Sequence, residues 1–255
     1  MATIGPYELN SIVTGQAAEV ASNLPAESID LFVLDPPYGI GYRSSWTTGR
    51  DGKPRRNKPD FGEDVLDPSF LPEAAKALKE TGALYLFTRW DVIADWKVAI
   101  EDTGLKVVQR IVWDKGHWGM GDLRYYGSRT EDILFCRKGA HALNWQKREG
   151  NIWQANTLIL PEGQQDHPTQ KPESLVKKMI LYSCPPGGVV CDLHSGSGTT
   201  AAVAKRLGVK FLACDKKQEY VEMGRERLAT IDAGLSRQPP LFVPQPAQPS
   251  LVGAD

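Results

Sequence analysis

The run Ile29–Leu34 (IDLFVL) constrains the fold of this chain more than any other segment. Apolar residues fill it apart from Asp30, and Asp35-Pro36-Pro37 follows directly. A short, nearly continuous apolar run bounded by turn residues is typical of a strand that is buried on both faces, as in parallel sheets. We therefore expect a central strand here, with Asp35 in the loop where it ends.

Short apolar segments alternate with helical segments along the chain, which predicts an α/β fold with a mainly parallel sheet. Asp67 and Pro68 predict a helix that extends to about Glu80, because Asp suits an N-cap and proline suits the first helical position. The further predicted strands are Ala83–Phe87, Lys106–Trp113, Asp132–Cys136, Val189–Cys191 and Phe211–Cys214, and the further predicted helices cover about 91–102, 172–184, 199–207 and 217–231.

Length and composition favour one globular domain. A chain of 255 residues fits a single core, and 41% hydrophobic with 24% charged residues is ordinary for a soluble enzyme. No apolar run approaches the roughly 20 residues that span a bilayer. The first residues lack the basic start and apolar segment of an export signal. We expect a cytoplasmic protein without a membrane segment.

The cysteines and histidines indicate no metal site. They show no C-x-x-C pair and no histidine spacing typical of zinc ligands. The four cysteines, Cys136, Cys184, Cys191 and Cys214, lie in or beside apolar stretches. Buried free thiols are the expectation, because free cysteine is among the most buried residue types.

The segment 192–200 (DLHSGSGTT) predicts a nucleoside site. An acid ends a predicted strand there, and a Gly-x-Gly turn leads into a helix, so the backbone can approach a ligand closely. Asp215 ends the next predicted strand, where a carboxylate can accept hydrogen bonds from ribose hydroxyls. The dinucleotide fingerprint G-x-G-x-x-G is absent, since position 201 is alanine, which argues against a dehydrogenase.

The tetrapeptide Asp35-Pro36-Pro37-Tyr38 predicts a site for an amino group. Its two prolines stiffen the backbone and present the Asp35 carboxylate and the Pro36 carbonyl as rigid acceptors. Two acceptors suit an amino group, which has two N–H bonds, and Tyr38 offers a flat face on which a base can stack. Taken alone, the tetrapeptide also fits a proline-stiffened turn with a capping aspartate.

Three motifs together resemble those of the DNA amino-methyltransferases. D-P-P-Y at 35–38 is similar to their catalytic motif, and D-x-x-x-G-S-G-T-T at 192–200 to their S-adenosylmethionine motif. H-P-T-Q-K-P at 167–172 is similar to a third motif, which precedes the cofactor strand. The catalytic motif comes before the cofactor motif, which is the permuted order of the beta group.

The resemblance covers about residues 4–230 and implies a doubly wound, mainly parallel α/β sheet of the Rossmann-like methyltransferase type. Residues 1–235 would form the catalytic domain, with target-recognition loops inserted at about 40–66, 114–130 and 138–166. The proline-rich residues 236–255 have little periodicity and are predicted to be disordered.

The resemblance implies a role for each matched residue. Asp35, Pro36, Pro37 and Tyr38 would form the catalytic site, where a base flipped out of the duplex presents its amino group and stacks on Tyr38. S-adenosylmethionine would be the cofactor, and no metal is required. The implied cofactor contacts are Asp192, His194, Ser195, Gly196, Ser197, Gly198 and Thr199 in the glycine turn, Asp215 at the ribose, and Thr169 and Lys171 at the methionine carboxylate.

Three positions depart from the family pattern. Leu193 and His194 stand where the family usually has proline and phenylalanine, and Gln16 stands where aspartate is common. The first two bear on cofactor binding and the third on a contact near the target base. None of them removes a group from methyl transfer, so we expect an active enzyme.

The target implied by the resemblance is the N6 amino group of adenine in double-stranded DNA. Aspartate at position 35 resembles adenine-N6 enzymes, whereas cytosine-N4 enzymes of the family more often have serine there. Cytosine N4 is therefore the first alternative, followed by an RNA methyltransferase and by a non-catalytic protein that binds DNA or cofactor. A homodimer and a cognate restriction endonuclease are the further partners that we consider.

The net charge of −1 is unusual for a nucleic-acid-binding protein, but basic residues are concentrated in the first recognition loop. The predicted DNA contacts are Arg43, Trp46, Arg55, Arg56, Lys58, Arg124 and Tyr125. Arginine can read guanine edges, and aromatic side chains can fill the gap that a flipped base leaves. Trp90, Trp96 and Trp113 lie in predicted regular elements and are expected to pack in the core.

Overall fold

The computed structural model describes residues 2–38, 65–118, 124, 126–144, 149–156 and 170–231. The strands are β1 (Thr3–Ile4), β2 (Tyr7–Glu8), β3 (Ser11–Thr14), β4 (Ile29–Leu34), β5 (Leu78–Thr88), β6 (Lys106–Asp114), β7 (Thr130–Arg137), β8 (Ile152–Gln154), β9 (Val189–Asp192) and β10 (Lys210–Asp215). The helices are α1 (Ala17–Ser22), α2 (Leu71–Ala77), α3 (Ile93–Glu101), α4 (Glu173–Ser183), α5 (Thr199–Leu207) and α6 (Gln218–Ala229).

An eight-stranded sheet forms the centre of the described residues, in the order β3-β10-β9-β4-β5-β7-β6-β8. The five strands from β3 to β5 run parallel. β7 is antiparallel to both of its neighbours, β5 and β6, and β8 is parallel to β6. The predicted α/β fold with a mainly parallel sheet is therefore confirmed. A separate antiparallel pair, β1 and β2, precedes the sheet.

β4 is buried on both faces, as its apolar sequence predicts: all six residues are buried. Leu31 and Val33 belong to the core beneath α4, α5 and α6. Phe32 and Leu34 belong to the core on the other face, beneath α1, α2 and α3. The alternation of side chains along a strand thus joins two helical layers to one sheet.

Asp30 is the polar residue within this apolar strand, and both oxygens of its carboxylate accept hydrogen bonds. It accepts hydrogen bonds from the Lys79 ammonium at 2.8 Å and from the Val189 backbone N–H at 2.8 Å. These bonds connect β4 with the start of β9 and with β5. A buried carboxylate needs such partners because its desolvation is otherwise unfavourable.

The helix predicted from Pro68 to Glu80 is shorter than expected at both ends. Asp67 accepts a hydrogen bond from the Ser69 N–H at 3.0 Å, so it closes a local turn before α2 rather than capping a helix at Pro68. At the other end, the Ala77 carbonyl accepts from the Ser28 N–H at 2.9 Å. The Ala77 carbonyl therefore bonds to the segment before β4 and not to a further turn of helix, and β5 begins at Leu78 instead of Ala83.

Three features of the sheet region were not predicted: the β1–β2 pair, β3 and β8. In β3 only Ile12 is buried, so the segment lacks the apolar run of a central strand. β8 has three residues and pairs with β6. Its Trp153 is buried in the core, so this part of the predicted recognition segment 138–166 belongs to the central sheet.

Two of the three tryptophans expected in the core are there. Trp96 and Trp113 are fully buried, which confirms the prediction. The prediction for Trp90 was wrong: this side chain is 73% exposed, in the turn between β5 and α3. On either side of it, Arg89 and Asp91 pair with each other, so the tryptophan occupies an outward turn rather than a packed element.

The four cysteines are buried and free, which confirms the expectation for them. None of the helices in the described ranges is long and apolar enough to cross a membrane. Residues 39–64 and 232–255, which include the first predicted recognition loop and the proline-rich tail, lie outside the described residues.

Replacing Asp30 by alanine should destabilise the fold, because it leaves the Val189 N–H without its acceptor and Lys79 without its partner. We expect Asp30→Ala to lower the free energy of unfolding by about 2–3 kcal/mol, as measured by urea denaturation. The exposed Asp102 is a matched control, and Asp102→Ala should change the same quantity by less than about 0.5 kcal/mol. Equal effects of the two substitutions would contradict a structural role for Asp30.

Candidate active site

The two predicted motifs meet at the point where the order of strands reverses. From β4 the chain passes through α2 to β5 on one side, and from β9 it passes through α5 to β10 on the other. β4 and β9 are themselves neighbours and parallel, so both carboxyl ends lie at one edge of the sheet. In open α/β sheets such a switch point forms the crevice in which ligands bind. Asp35 follows β4 there, and Asp192 ends β9.

The glycine turn after β9 depends on close packing that only glycine allows. Gly198 has φ +78°, in the left-handed region, and precedes the first residue of α5. A Cβ atom at this position would lie 3.1 Å from the Gly224 Cα and 3.0 Å from the Ile12 Cδ1. The turn is therefore fixed against α6 and β3, and a side chain at Gly198 would displace it.

Two buried polar atoms in this turn have no hydrogen-bond partner among the described residues: the Ser195 Oγ and the His194 Nδ1. Buried polar groups in native proteins are nearly always satisfied, so such atoms indicate a polar ligand or water. The His194 ring packs edge-on against Phe70, with ring centroids 4.7 Å apart. Burial lowers the pKa of His194 to about 4, so its imidazole is neutral at pH 7.

Asp192 and Asp215 hold the backbone of the turn. Asp192 accepts from the His194 N–H at 3.0 Å, and Asp215 accepts from the Gly196 N–H and the Lys217 N–H, both at 2.9 Å. Burial raises the pKa of Asp192 to about 7, and repulsion from Asp35 and Asp215 adds to the rise. This carboxyl is thus the group of the turn that titrates near neutrality.

The catalytic motif is bound to Lys171, which lies just before α4. The Tyr38 hydroxyl donates to the Asp35 Oδ1 at 2.8 Å, and the Lys171 ammonium donates to the Tyr38 oxygen at 2.9 Å. The same ammonium is 3.1 Å from the Asp35 Oδ1. Burial raises the pKa of Asp35, and the Lys171 charge and the Tyr38 hydrogen bond oppose that rise.

Lys171 therefore contacts the catalytic motif in this structure, and its assignment to the methionine carboxylate stays a prediction. Pro36 is buried and Pro37 is partly buried behind Asp35. Ser197 and Thr199 are buried in the glycine turn, where Arg227 donates to both at 3.3 Å.

The remaining predicted site residues divide into two groups. Thr169, Arg43, Trp46, Arg55, Arg56, Lys58 and Tyr125 lie outside the described residues. Arg124 is described and exposed, in the connection between β6 and β7. Gln16 precedes α1 at the end of β3, and the adjacent Gly15 N–H donates to the Asp215 carbonyl at 3.0 Å, so this departure lies beside the glycine turn.

Sequence reasoning missed Glu131, which the structure adds to the catalytic motif. Its Oε2 accepts from the Lys171 ammonium at 3.2 Å, and its Oε1 lies 3.5 Å from the Lys115 ammonium. Glu131 is in β7 and Lys115 follows β6. No local signal marks either residue, because their approach to Asp35 depends on β7 lying beside β5. Within the described parts of the chain, no group of three His, Cys, Asp or Glu residues could hold a metal ion.

Comparison with known proteins identifies the family and the fold. Residues 29–226 match the model of the family described as DNA methylase, which covers more than half of the chain. The chain belongs to the DNA methylase family. The resemblance of its three motifs to DNA amino-methyltransferases is thereby confirmed.

Relatives of this DNA methylase cover most of its length. The DNA adenine methyltransferase YhdJ of Escherichia coli K12 is 31% identical in an alignment of 252 positions, which covers 87% of this chain and 83% of the relative. The type II methyltransferase M.HinfI of Haemophilus influenzae is 30% identical, over 88% of this chain and 69% of the relative.

Solved structures of low identity share the fold of this DNA methylase. The complex of M1.HpyAVI with S-adenosylmethionine has a TM-score of 0.65 at 23% identity, and the match covers 86% of this chain and 98% of that one. The cytosine-N4-specific PvuII DNA methyltransferase has a TM-score of 0.63 at 18% identity, with coverage of 87% and 86%.

The raised pKa of Asp192 predicts a pH-dependent stability. Between pH about 4, where this carboxyl ionises in the unfolded chain, and its folded pKa of about 7, only the folded state holds the proton. Stability therefore falls as pH rises through this window, by at most about 1.4 kcal/mol per pH unit, and levels off above it. Asp192→Asn should lack this slope.

The measurement is the free energy of unfolding of both proteins by urea denaturation, at intervals from pH 4 to pH 8. The difference between them isolates Asp192, because the other titrating groups are common to both. Two curves that stay parallel across the range would show that Asp192 does not titrate there.

Proposed function

We propose that this DNA methylase transfers a methyl group from S-adenosylmethionine to the N6 amino group of adenine in double-stranded DNA. One observation carries the proposal. At the switch point between β4 and β9, a carboxylate that can accept from an amino group, Asp35, meets a glycine turn in which the Ser195 hydroxyl is buried without a protein partner among the described residues.

The residues of the glycine turn fit the proposed cofactor. Ser195 Oγ and His194 Nδ1 are available to a polar ligand. Each oxygen of the Asp215 carboxylate accepts one backbone N–H, which leaves further lone pairs for ribose hydroxyls. S-adenosylmethionine, when bound, supplies an electrophilic methyl group on a sulfonium centre. The protein's contribution is then to hold the acceptor amino group in line with it.

Asp35 is oriented to accept hydrogen bonds from the target. Tyr38 and Lys171 both contact its Oδ1, and no described residue donates a hydrogen bond to its Oδ2. In the proposal, Oδ2 and the Pro36 carbonyl accept the two N–H bonds of the amino group. This favours a more tetrahedral nitrogen, whose lone pair is then withdrawn from the ring and free to form the new bond.

Asp35 also suits the removal of the proton. When the amino group gains a methyl group, its nitrogen must lose one proton to become a neutral secondary amine. A carboxylate whose pKa is raised by burial is a better proton acceptor than an ordinary one. In the proposal the proton passes to the Asp35 Oδ2.

The choice of adenine is supported by Asp35, which resembles adenine-N6 enzymes, and by YhdJ, which is named a DNA adenine methyltransferase. Cytosine N4 is the second candidate. The PvuII enzyme, which shares the fold, is cytosine-N4-specific, and both bases present an amino group on a ring carbon beside a ring nitrogen.

The sheet topology supports a DNA-binding face at the same edge. Because β6 is parallel to β5, the connection from β6 to β7 leaves at the carboxyl edge of the sheet, the edge at which Asp35 follows β4. Trp118 and Tyr126 in this connection are 64% and 104% exposed, and Trp90 follows β5 at the same edge. Exposed aromatic side chains suit the space vacated by a flipped base.

The remaining parts of the proposal follow from the family resemblance. The duplex hides the amino group, so the target base would be flipped into the site. The predicted contacts from Arg43 to Lys58, with Arg124 and Tyr125, would neutralise phosphates and read the sequence. We also propose that residues 1–235 form the catalytic domain. A cytoplasmic location, a homodimer and a cognate restriction endonuclease are further parts of the proposal, which the reaction itself does not need.

The direct test is to incubate the purified protein with S-adenosylmethionine and unmethylated DNA and to identify methylated nucleosides by mass spectrometry. We expect N6-methyladenine. N4-methylcytosine would overturn the choice of base and keep the reaction. Methylated RNA without methylated DNA would favour the RNA alternative, and cofactor binding without any product would favour a non-catalytic protein.

Asp35→Ala should reduce the rate of methyl transfer by about 10³-fold or more, since it removes both the amino-group acceptor and the proton acceptor. Cofactor affinity and the unfolding midpoint should change little. Asp102→Ala, at an exposed aspartate on the far end of α3, is the matched control and should keep full activity. Unchanged activity of Asp35→Ala would refute the assignment of Asp35.

A further inference from the structure

We propose that Glu131 is a positioning residue, which holds the Lys171 ammonium against Asp35 and Tyr38 so that one oxygen of the Asp35 carboxylate is anchored and the other is left for the target amino group. The inference rests on the proposed function and deepens it. It assigns a role to a residue of β7 that none of the three motifs contains.

Lys171 has three N–H donors, and the structure gives it three acceptors. These are the Tyr38 oxygen at 2.9 Å, the Asp35 Oδ1 at 3.1 Å and the Glu131 Oε2 at 3.2 Å. The side chain of Lys171 is only 12% exposed. A buried ammonium needs its donors satisfied, and here Glu131 supplies the acceptor that the catalytic motif does not.

Aromatic rings enclose the same ammonium. It lies 5.2 Å from the ring centroids of Tyr38 and Phe87 and 5.8 Å from that of Trp113. Contacts of this length with a ring face are attractive for a cation. The ammonium is therefore confined by one ring of the catalytic motif and by two rings of β5 and β6, and Glu131 provides its remaining polar contact.

The hydrogen bonds within the cluster have one direction. Lysine only donates, so the Tyr38 oxygen accepts from Lys171 and its single proton is free to go elsewhere. The Asp35 Oδ1 lies at 2.8 Å from the Tyr38 hydroxyl and the Glu131 Oε2 at 3.4 Å, so the hydroxyl donates to Asp35. Glu131 therefore acts on Asp35 through Lys171. The Lys171 ammonium contacts the Asp35 carboxylate itself, and it also contacts Tyr38, whose hydroxyl donates to that carboxylate.

Charge balance explains why a second carboxylate is needed. The cluster holds two carboxylates and two ammonium groups. Lys171 contacts both Asp35 and Glu131, and Lys115 contacts Glu131. Burial raises the pKa of Glu131, but the charges of Lys171 and Lys115 outweigh it and lower the pKa below its usual value. Without Glu131, the Lys171 ammonium would have Asp35 as its one carboxylate partner among the described residues. It could then shift from Oδ1 toward Oδ2, where it would compete with the target amino group.

The position of Glu131 is fixed by the sheet. It pairs with Trp113 of β6, and β7 lies between β5 and β6. A side chain on an interior strand is held more precisely than one on a loop. Asp35, by contrast, lies in a loop, and Lys171 precedes a helix. The strand residue is therefore the fixed point of the cluster.

The effect of Glu131 on Asp35 can be read from the pH dependence of the rate. The groups that face Asp35 are Tyr38 in its own loop, Lys171 before α4, Glu131 on β7 and Asp192 on β9. Transfer needs ionised Asp35, so the rate falls as pH drops through the pKa of Asp35. The negative charge of Glu131 raises that pKa and the charge of Lys171 lowers it.

The experiment compares Glu131→Gln and Lys171→Met with the full-length wild type. Glu131→Gln keeps the shape of the side chain and should lower kcat by about 10- to 100-fold, the range expected for a misplaced reacting group. The acid limb of kcat should move to lower pH in Glu131→Gln and to higher pH in Lys171→Met. The Kd of S-adenosylmethionine, measured by calorimetry, should change less than about threefold in Glu131→Gln.

Two further variants serve as controls. Glu131→Asp keeps the charge, so its acid limb should stay closer to that of the wild type than the limb of Glu131→Gln. Glu101→Gln removes a glutamate that pairs with Lys97 on the surface of α3, and its kcat and acid limb should match the wild type. If Glu131→Gln keeps kcat and its pH profile, or weakens only cofactor binding, the proposal is overturned.

A measurement without turnover separates this inference from the proposed function. The carboxyl carbon of Asp35 can be titrated by ¹³C NMR in protein labelled at aspartate, with the signal identified by its loss in Asp35→Asn. We expect its midpoint to fall in Glu131→Gln and to rise in Lys171→Met. If the wild type methylates no nucleic acid, the proposed function fails, but these midpoints still decide the role of Glu131. An Asp35 midpoint equal in all three proteins would rule it out.

Discussion

The parallel pairing of β4 with β9 is the contact on which the rest of the structure depends. These strands are separated by more than 150 residues, yet Leu31 lies opposite Val190 and Phe32 opposite Cys191. Because α2 and α5, the helices that follow β4 and β9, pack on opposite faces of the sheet, neither helix covers the crevice between the carboxyl ends of these strands. Asp35 and the glycine turn lie at that crevice. The permuted order of the motifs does not alter this arrangement, since the sheet specifies which strands are neighbours whatever their order in the chain.

Placing several carboxylates in one crevice creates an electrostatic problem, and the cluster around Lys171 offsets it. Asp35, Asp192 and Asp215 lie close enough for their charges to repel; burial is the main cause of the raised pKa of Asp192, and this repulsion adds to it. Asp215 is stabilised by two backbone N–H groups, whereas Asp35 depends on Lys171 and Tyr38. Charge in the crevice is distributed unevenly among similar side chains by their hydrogen-bond partners.

The sequence predicts the centre of this molecule better than its edges, for physical reasons. Ile29–Leu34 and the turn at 192–200 could be predicted because burial on both faces and a positive φ leave few residue types that fit. β3 and β8 escaped prediction because edge strands are half-exposed and short, so pairing partners decide them rather than local pattern. The end of α2 was misplaced because the Ala77 carbonyl is taken by Ser28, a contact that no local signal encodes.

Motif reasoning cannot find residues whose contacts depend on parts of the chain far away in the sequence. Trp90 was expected in the core because it was assigned to a regular element, but β5 ends at Thr88 and the tryptophan is exposed in the turn that follows. Glu131 has no neighbouring motif at all. Its approach to Lys171 requires that β7 be inserted antiparallel next to β5, and that order of strands follows from the whole sheet.

The glycine turn and the segment 35–38 are also connected by side-chain contacts at the start of α4. Glu173 pairs with Arg206 of α5 and with Arg227 of α6 at 2.6 Å, and Arg227 also donates to the Ser197 carbonyl in the glycine turn at 3.3 Å. Glu173 lies two residues after Lys171, whose ammonium contacts Asp35. A displacement of the glycine turn would strain the Arg227 contacts and with them the segment that carries Lys171. The geometry around Asp35 thus depends on a turn more than 150 residues away in the chain, because Arg227 and Lys171 connect the two.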